Sequence, residues 1–126
     1  MARKILVIDD SELSLNITAQ NLEQAGFSVF KVKNANIGLQ KLREERIDMI
    51  VLDLILPGLD GFSFLSICKQ ESALKDIPVV VLTGRDSTEE IEEAKKRGAM
   101  ECFIKYKISP LQLKDYIKSY FEKGLP

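Results

Sequence analysis

Five side chains that can do chemistry stand where apolar runs end. Asp9 and Asp10 close "VIDDSE", Asp53 closes the run that opens "IVLDLILPGLDG", Thr83 and Gly84 follow "VVVL", and Lys105 follows "CFI". If those runs are strands of one sheet, three carboxylates, a hydroxyl and an ammonium meet at one rim. Carboxylates that close repel one another and raise each other's pKa unless a cation joins them. An oxygen-only donor set favours a hard divalent ion, Mg²⁺ or Mn²⁺, over zinc. Such an ion beside an ammonium and a hydroxyl is suited to phosphoryl transfer, which depends on positioning and charge neutralisation. A carboxylate can itself be the nucleophile and become an acyl phosphate. Asp53 is the candidate, because its run reads as the central strand. Taken singly, each group also has a plain structural role: Asp10 or Ser11 can cap a helix, Thr83 can cap a turn, and Lys105 can extend to solvent.

The elements that must position these groups alternate along the chain. Short β-rich runs (5–8, 29–32, 49–52, 79–82 and 102–104) are separated by segments of helical period, the pattern of a parallel sheet covered on both faces. The first, third and fourth runs are apolar throughout and read as central strands. Val29–Val32 is interrupted by Lys31 and reads as an edge. Leu15, Ala19 and Leu22, with Ile17 and Ala25 widening the face, mark the first helix, which Gly26 ends. Ala35, Leu39 and Leu42 mark the second, and Phe62, Leu65 and Cys68 the third, starting at Asp60 or Gly61. The fourth, "STEEIEEAKKRG", opens on Ser87 or Thr88 and carries acids before bases, matching the helix dipole. Its Lys95-Lys96-Arg97 run therefore reads as a solvated helix end. Leu113, Tyr116, Ile117 and Tyr120 give the fifth helix a buried stripe. The expected architecture is α/β, a five-stranded parallel (βα)5 doubly wound sheet, whose functional crevice lies beyond the carboxyl ends of the strands.

Composition narrows the chemistry further. The 126 residues are 45% apolar and 29% charged, the profile of one soluble domain with one core. Net charge is −1, which gives no basic field for direct nucleic-acid binding, and with no histidine there is no imidazole to act as base, ligand or phosphocarrier. Cys68 and Cys102 follow no metal-ligand spacing and read as reduced thiols. No apolar run suits a membrane span and the amino terminus lacks signal-peptide features, so a cytoplasmic location is expected.

In their order and spacing, "ILVIDDS", "DMIVLDLILPGLDGF", "IPVVVLTG" and "GAMECFIK" resemble response-regulator receiver domains over essentially the whole chain. The resemblance implies a single domain over 1–126 with flavodoxin-like strand order 2-1-3-4-5. It implies that Asp10, Asp53 and the backbone carbonyl of Ile55 ligate Mg²⁺, with Asp9 acting through water. Asp53 would take phosphate from the phosphohistidine of a sensor histidine kinase or phosphotransfer protein. Lys105 would pair with the phosphoryl group, Thr83 would close on it, and a downstream protein target would sense the change. The alternative is a receiver-like interaction module that is not phosphorylated in its biological role. A haloacid-dehalogenase-like phosphatase would need a second aspartate where Ser11 stands, and a flavodoxin-like cofactor site would need a phosphate cradle where "DDSE" repels phosphate.

Two positions depart from the family's pattern. Cys102 stands where receivers carry a Tyr or Phe that moves inward with the threonine, and Tyr106 stands where a proline normally follows the lysine. A thiol buries too little surface to drive a switch as a ring does. Coupling is therefore expected through the loop from Gly84 to Ser87 and the fourth helix, with Phe103 packed in both states and the loop before the fifth helix reshaped.

Overall fold

The computed structural model describes residues 2–123. Strands β1 (Lys4–Ile8), β2 (Ser28–Val32), β3 (Met49–Leu52), β4 (Val79–Thr83) and β5 (Glu101–Ile104) alternate with helices α1 (Glu12–Gln24), α2 (Ala35–Glu44), α3 (Gly61–Gln70), α4 (Thr88–Lys96) and α5 (Pro110–Lys123). The strands are all parallel, in the order β2-β1-β3-β4-β5, as expected.

Alternation along each central strand divides the core in two. Ile5 and Val7 of β1, Met49 and Val51 of β3, and Val80 and Leu82 of β4 pack with Leu15 and Leu22 of α1 and Leu113 and Ile117 of α5. Leu6, Ile8, Ile50, Leu52, Val79 and Val81 face the other way, onto Leu39 and Leu42 of α2, Phe64, Leu65 and Cys68 of α3, and Ala94 of α4. Burial on both faces is why these strands are apolar throughout. The edge strand β2 leaves Ser28 and Lys31 exposed.

Two expected core positions are corrected. Phe64, not Phe62, is the fully buried aromatic of α3, because it lies three residues after Gly61 and next to Leu65 on the sheet-facing side; Phe62 only packs at the margin. Ile17 does not widen the buried face of α1 but stands 38% exposed. The basic run ending α4 is also more than a solvated end. Arg97 bonds Glu93 at 2.6 Å and Ser66 Oγ at 3.2 Å, and lies 5.5 Å from the Phe62 ring, tying α4 to α3.

Side-chain caps keep the loops at the site short and fixed. Ser11 Oγ accepts from Ser14 N–H at 3.3 Å, Asp60 Oδ1 from Ser63 N–H at 2.9 Å, and Ser87 Oγ from Glu90 N–H at 3.4 Å. Ahead of α5, Ser109 and Gln112 bond each other's backbone N–H, at 3.0 and 2.8 Å, just before Pro110 takes the first helical position. That box closes the loop after Lys105.

Two glycines between β3 and α3 are required by geometry. Gly58 has φ +72°, a left-handed conformation that disfavours a side chain. Gly61 starts α3 against the strand's continuation: a Cβ there would lie 2.5 Å from Leu54 Cα and 2.7 Å from the Asp53 carbonyl oxygen. Both atoms are backbone and cannot step aside cheaply. Gly61→Ala is therefore expected to lower stability by about 2–3 kcal/mol in denaturant titration. Gly84→Ala, where an added Cβ meets nothing within 4 Å, should stay within about 0.5 kcal/mol. Equal effects of the two would refute this packing account.

Candidate functional site

Register converts four strand ends into one site. Ile8 pairs with Leu52, so Asp9 and Asp53 emerge side by side, and the Asp53 N–H continues the ladder to the Ile8 carbonyl at 2.9 Å. Thr83 pairs with Ile104, and the Lys105 N–H donates to the Thr83 carbonyl at 2.8 Å. β4 separates β5 from β3, an interstrand span of roughly 10 Å that calls for a long side chain. Lys105 makes that reach: its Nζ lies 2.9 Å from both Asp9 Oδ2 and Asp53 Oδ2.

The remaining carboxylate oxygens are held by main chain. Asp53 Oδ1 accepts from Ile55 N–H at 3.0 Å, and Asp9 Oδ1 accepts from Ser11 N–H at 3.0 Å. Both residues are buried, 5% and 3% exposed, so these bonds are what keep the carboxylates aimed at the rim. Asp10 is exposed and places an oxygen with those of Asp9 and Asp53, all within 4.8 Å of one another. Because Ser11 is the helix cap, Asp10 is not committed to that role. Three carboxylates against one ammonium leave an excess of two negative charges, and the donor set is all oxygen. The arrangement fits a hard divalent cation.

Electrostatics put strain on the nucleophile candidate. Burial pushes the Asp53 carboxyl up from its ordinary value, more than the Ile55 N–H and the Lys105 ammonium pull it down, and Asp9 raises it further. Burial acts against the Lys105 charge, yet bonds to Asp9 and Asp53 outweigh it and raise its pKa. The contact favours the charged form of both partners, but at Asp53 the burial penalty exceeds it, whereas Lys105, with two carboxylates to pair, keeps a net gain.

The structure brings together Asp9, Asp10, Asp53, Thr83 and Lys105, with Ile55 entering through its N–H. Thr83 is fully buried, and its Oγ1 accepts from Arg85 N–H at 3.3 Å, so the turn-capping role holds as well. Cys102 faces α4, with Sγ 3.9 Å from the Ile91 carbonyl, and burial pushes its thiol up to about 11. Phe103 points to the opposite face and meets Tyr116 edge-on at 5.0 Å. Sequence reasoning missed the contact between Tyr106 and Asp86, whose side chains bond each other across the two loops beside the site. It also missed the apolar groove of about 280 Å³ beside Lys105, bordered by Leu13 and Ile17 of α1 and by Ile108 and Pro110. Leu13, 72% exposed, breaks the helical period that marks the core and could have signalled it.

A doubly wound parallel sheet with an acidic triad, a threonine and a lysine at its carboxyl rim defines an α/β domain with a cation-compatible site. The chain belongs to the response regulator receiver domain family, whose model matches residues 5–118. The phosphate regulon transcriptional regulatory protein PhoB of Escherichia coli strain K12 is 35% identical over the whole of this chain, which spans 55% of PhoB's own length. Protein PilH of Pseudomonas aeruginosa is 31% identical over 83% of this chain and 86% of PilH. The structure of the chemotaxis protein CheY4 of Vibrio cholerae superposes with TM-score 0.86 at 28% identity, covering 94% of this chain and 98% of CheY4. The protein is a phosphoacceptor signalling domain of two-component systems, and the alternative of an unphosphorylated interaction module is not favoured.

The shared ammonium sets a pH dependence. Lys105 contributes stability below its unfolded value near 10.5 and loses it as pH rises through its raised folded value. Lys105→Met should therefore cost about 1–3 kcal/mol at neutral pH. The deficit should shrink above pH 10.5 as the native lysine discharges, and also in acid, as protonation of Asp53 at its raised value relieves the repulsion from Asp9. Chemical denaturation of both proteins across pH checks this; a deficit independent of pH contradicts it.

Proposed function

We propose that Asp53 is the phosphoacceptor, taking a phosphoryl group from the phosphohistidine of a sensor histidine kinase or phosphotransfer protein and thereby changing the binding of a downstream protein target. The observation that carries this reading is the Asp53 carboxylate itself, buried at the end of the central strand and bound at 2.9 Å by the Lys105 ammonium, with Asp9 and Asp10 beside it. An Asp53 carboxylate oxygen attacks phosphorus, the O–P bond forms, the N–P bond of the donor breaks, and the imidazole leaves with the electron pair. Asp9, Asp10, Asp53 and the Ile55 carbonyl would hold Mg²⁺, or Mn²⁺ in its place. When bound, that ion supplies neutralising charge to the phosphoryl oxygens.

The chain's own groups do the rest. Lys105 is already at the acceptor carboxylate and gives its ammonium to the incoming phosphoryl group, leaving part of its bond to Asp53. The Thr83 hydroxyl donates to a phosphoryl oxygen, which draws the loop after β4 toward the site. Ile55 N–H and Ser11 N–H keep Asp53 and Asp9 in place throughout. The domain promotes only its own phosphorylation and dephosphorylation, so its output is a changed surface rather than a released product. The free thiols Cys68 and Cys102 fit a reducing, cytoplasmic setting.

Incubation with Mg²⁺ and acetyl phosphate, followed by intact-mass measurement, tests the assignment. The expected result is one added phosphoryl group on the native protein, none on Asp53→Asn, and none on Asp10→Ala, which also loses Mg²⁺ binding. Full labelling of Asp53→Asn would place the acceptor elsewhere, and undiminished labelling of Asp10→Ala would remove that residue from the metal site.

A further inference from the structure

The main chains of Thr83 and Lys105 are locked together, since the Lys105 N–H donates to the Thr83 carbonyl at 2.8 Å. Freedom for the switch therefore lies in the two loops that follow, 84–87 and 106–109. Within the first, Thr83 Oγ1 accepts from Arg85 N–H at 3.3 Å, so the loop is attached to the hydroxyl that must turn toward a phosphoryl group. Arg85 also reaches Glu90 of α4 at 2.5 Å, and Ser87 caps that helix. Asp86 lies between these anchors and points across to the second loop, where its Oδ2 accepts from the Tyr106 hydroxyl.

Tyr106 is 64% exposed, and the Lys107 ammonium lies 5.9 Å from its ring centroid. A ring so open to solvent is held by its hydrogen bond more than by packing. The Lys107 N–H to Ile104 carbonyl bond, at 2.8 Å, fixes the turn from which the ring projects. A proline at this position, the residue receivers usually carry, has no hydroxyl and could make no such bridge.

We propose that the Tyr106–Asp86 bond is a latch that holds the loop after Thr83 in its resting position, so that both are positioning residues for the phosphoacceptor reaction. This rests on the reading of Asp53 as the acceptor. When the Thr83 hydroxyl moves to a phosphoryl oxygen, Arg85 and Asp86 follow it, and the bond to Tyr106 either breaks or drags the second loop along. The latch opposes the phosphorylated arrangement, and releasing it favours phosphorylation. It also gives the loop from Gly84 to Ser87 a partner that reports its position, in a chain whose residue 102 is a thiol rather than a ring.

Initial rates of phosphorylation by acetyl phosphate with Mg²⁺, followed by intact mass, test the latch in the full chain. Tyr106→Phe and Asp86→Ala are each expected to raise the rate about three- to tenfold, the effect of losing one hydrogen bond. The double variant should be no faster than either single one, because the two act through one bond. Asp86→Asn keeps an acceptor and should stay within about twofold of the native rate. Melting temperatures should fall by about 2–6 °C, the worth of one hydrogen bond in a chain of this length, so the rate rises while stability falls, whereas a merely structural role lowers stability with no gain in rate. The bond itself is read by titrating the Tyr106 ring signals in NMR spectra: the Asp86 carboxylate holds the phenol above its ordinary pKa of 10.0, and Asp86→Ala should release it. Native rates in Tyr106→Phe and Asp86→Ala, additive effects in the double variant, or an unshifted phenol would each overturn the latch. A native protein that takes no phosphoryl group overturns the acceptor reading instead, and the latch's role with it.

Discussion

One ammonium between two buried carboxylates is the interaction on which the site depends. Lys105 Nζ sits 2.9 Å from Asp9 and 2.9 Å from Asp53, and its charge offsets part of the burial penalty on the Asp53 carboxylate. The contact exists only because the sheet has this order and register. β3 lies between β1 and β4, so Asp53 has Asp9 on one side and receives Lys105 from beyond β4 on the other. A shift of one residue in either pairing would turn the carboxylate into the core or the lysine away from it. The apolar runs therefore have two tasks, since the burial that stabilises the sheet also fixes the register that assembles the site.

The same arrangement is deliberately unsatisfied. Three acids gather at one rim with a base that pairs with only two of them, and burial disfavours the charge of the central one. A structure optimised for stability alone would have no reason to gather them. The excess negative charge suits a divalent ion, and the ammonium is close enough to exchange its carboxylate partner for a phosphoryl oxygen. Stability given up at the rim is supported by what lies beneath it, where Ile8, Leu52 and Phe64 are fully enclosed.

Much of this was legible in the sequence because it is written in local signals. Uniformly apolar runs marked β1, β3 and β4, Lys31 marked the edge, and caps at Ser11, Asp60 and Ser87 marked helix starts within a residue. The acidic, hydroxyl and basic groups could be placed at one rim once the alternation of strands and helices was recognised. What was not legible depends on distance in space. Phe62 and Phe64 have the same composition signal, and only the start of α3 at Gly61 decides which one enters the core. The close approach of Gly61 to the Asp53 carbonyl, the joining of Arg97 to Ser66, and the contact of Tyr106 with Asp86 link residues that no periodicity connects.

The central claim is that a phosphoryl group arrives on the carboxylate held by Lys105. An acyl phosphate is reduced by borohydride to the alcohol while a free carboxylate is not, so reductive trapping after phosphorylation marks the acceptor in the native chain without any substitution. Peptide mapping by mass spectrometry should find the aspartate at position 53 converted to homoserine, with Asp9, Asp10 and every other carboxylate unchanged. Conversion at any other position, with position 53 intact, would contradict the account.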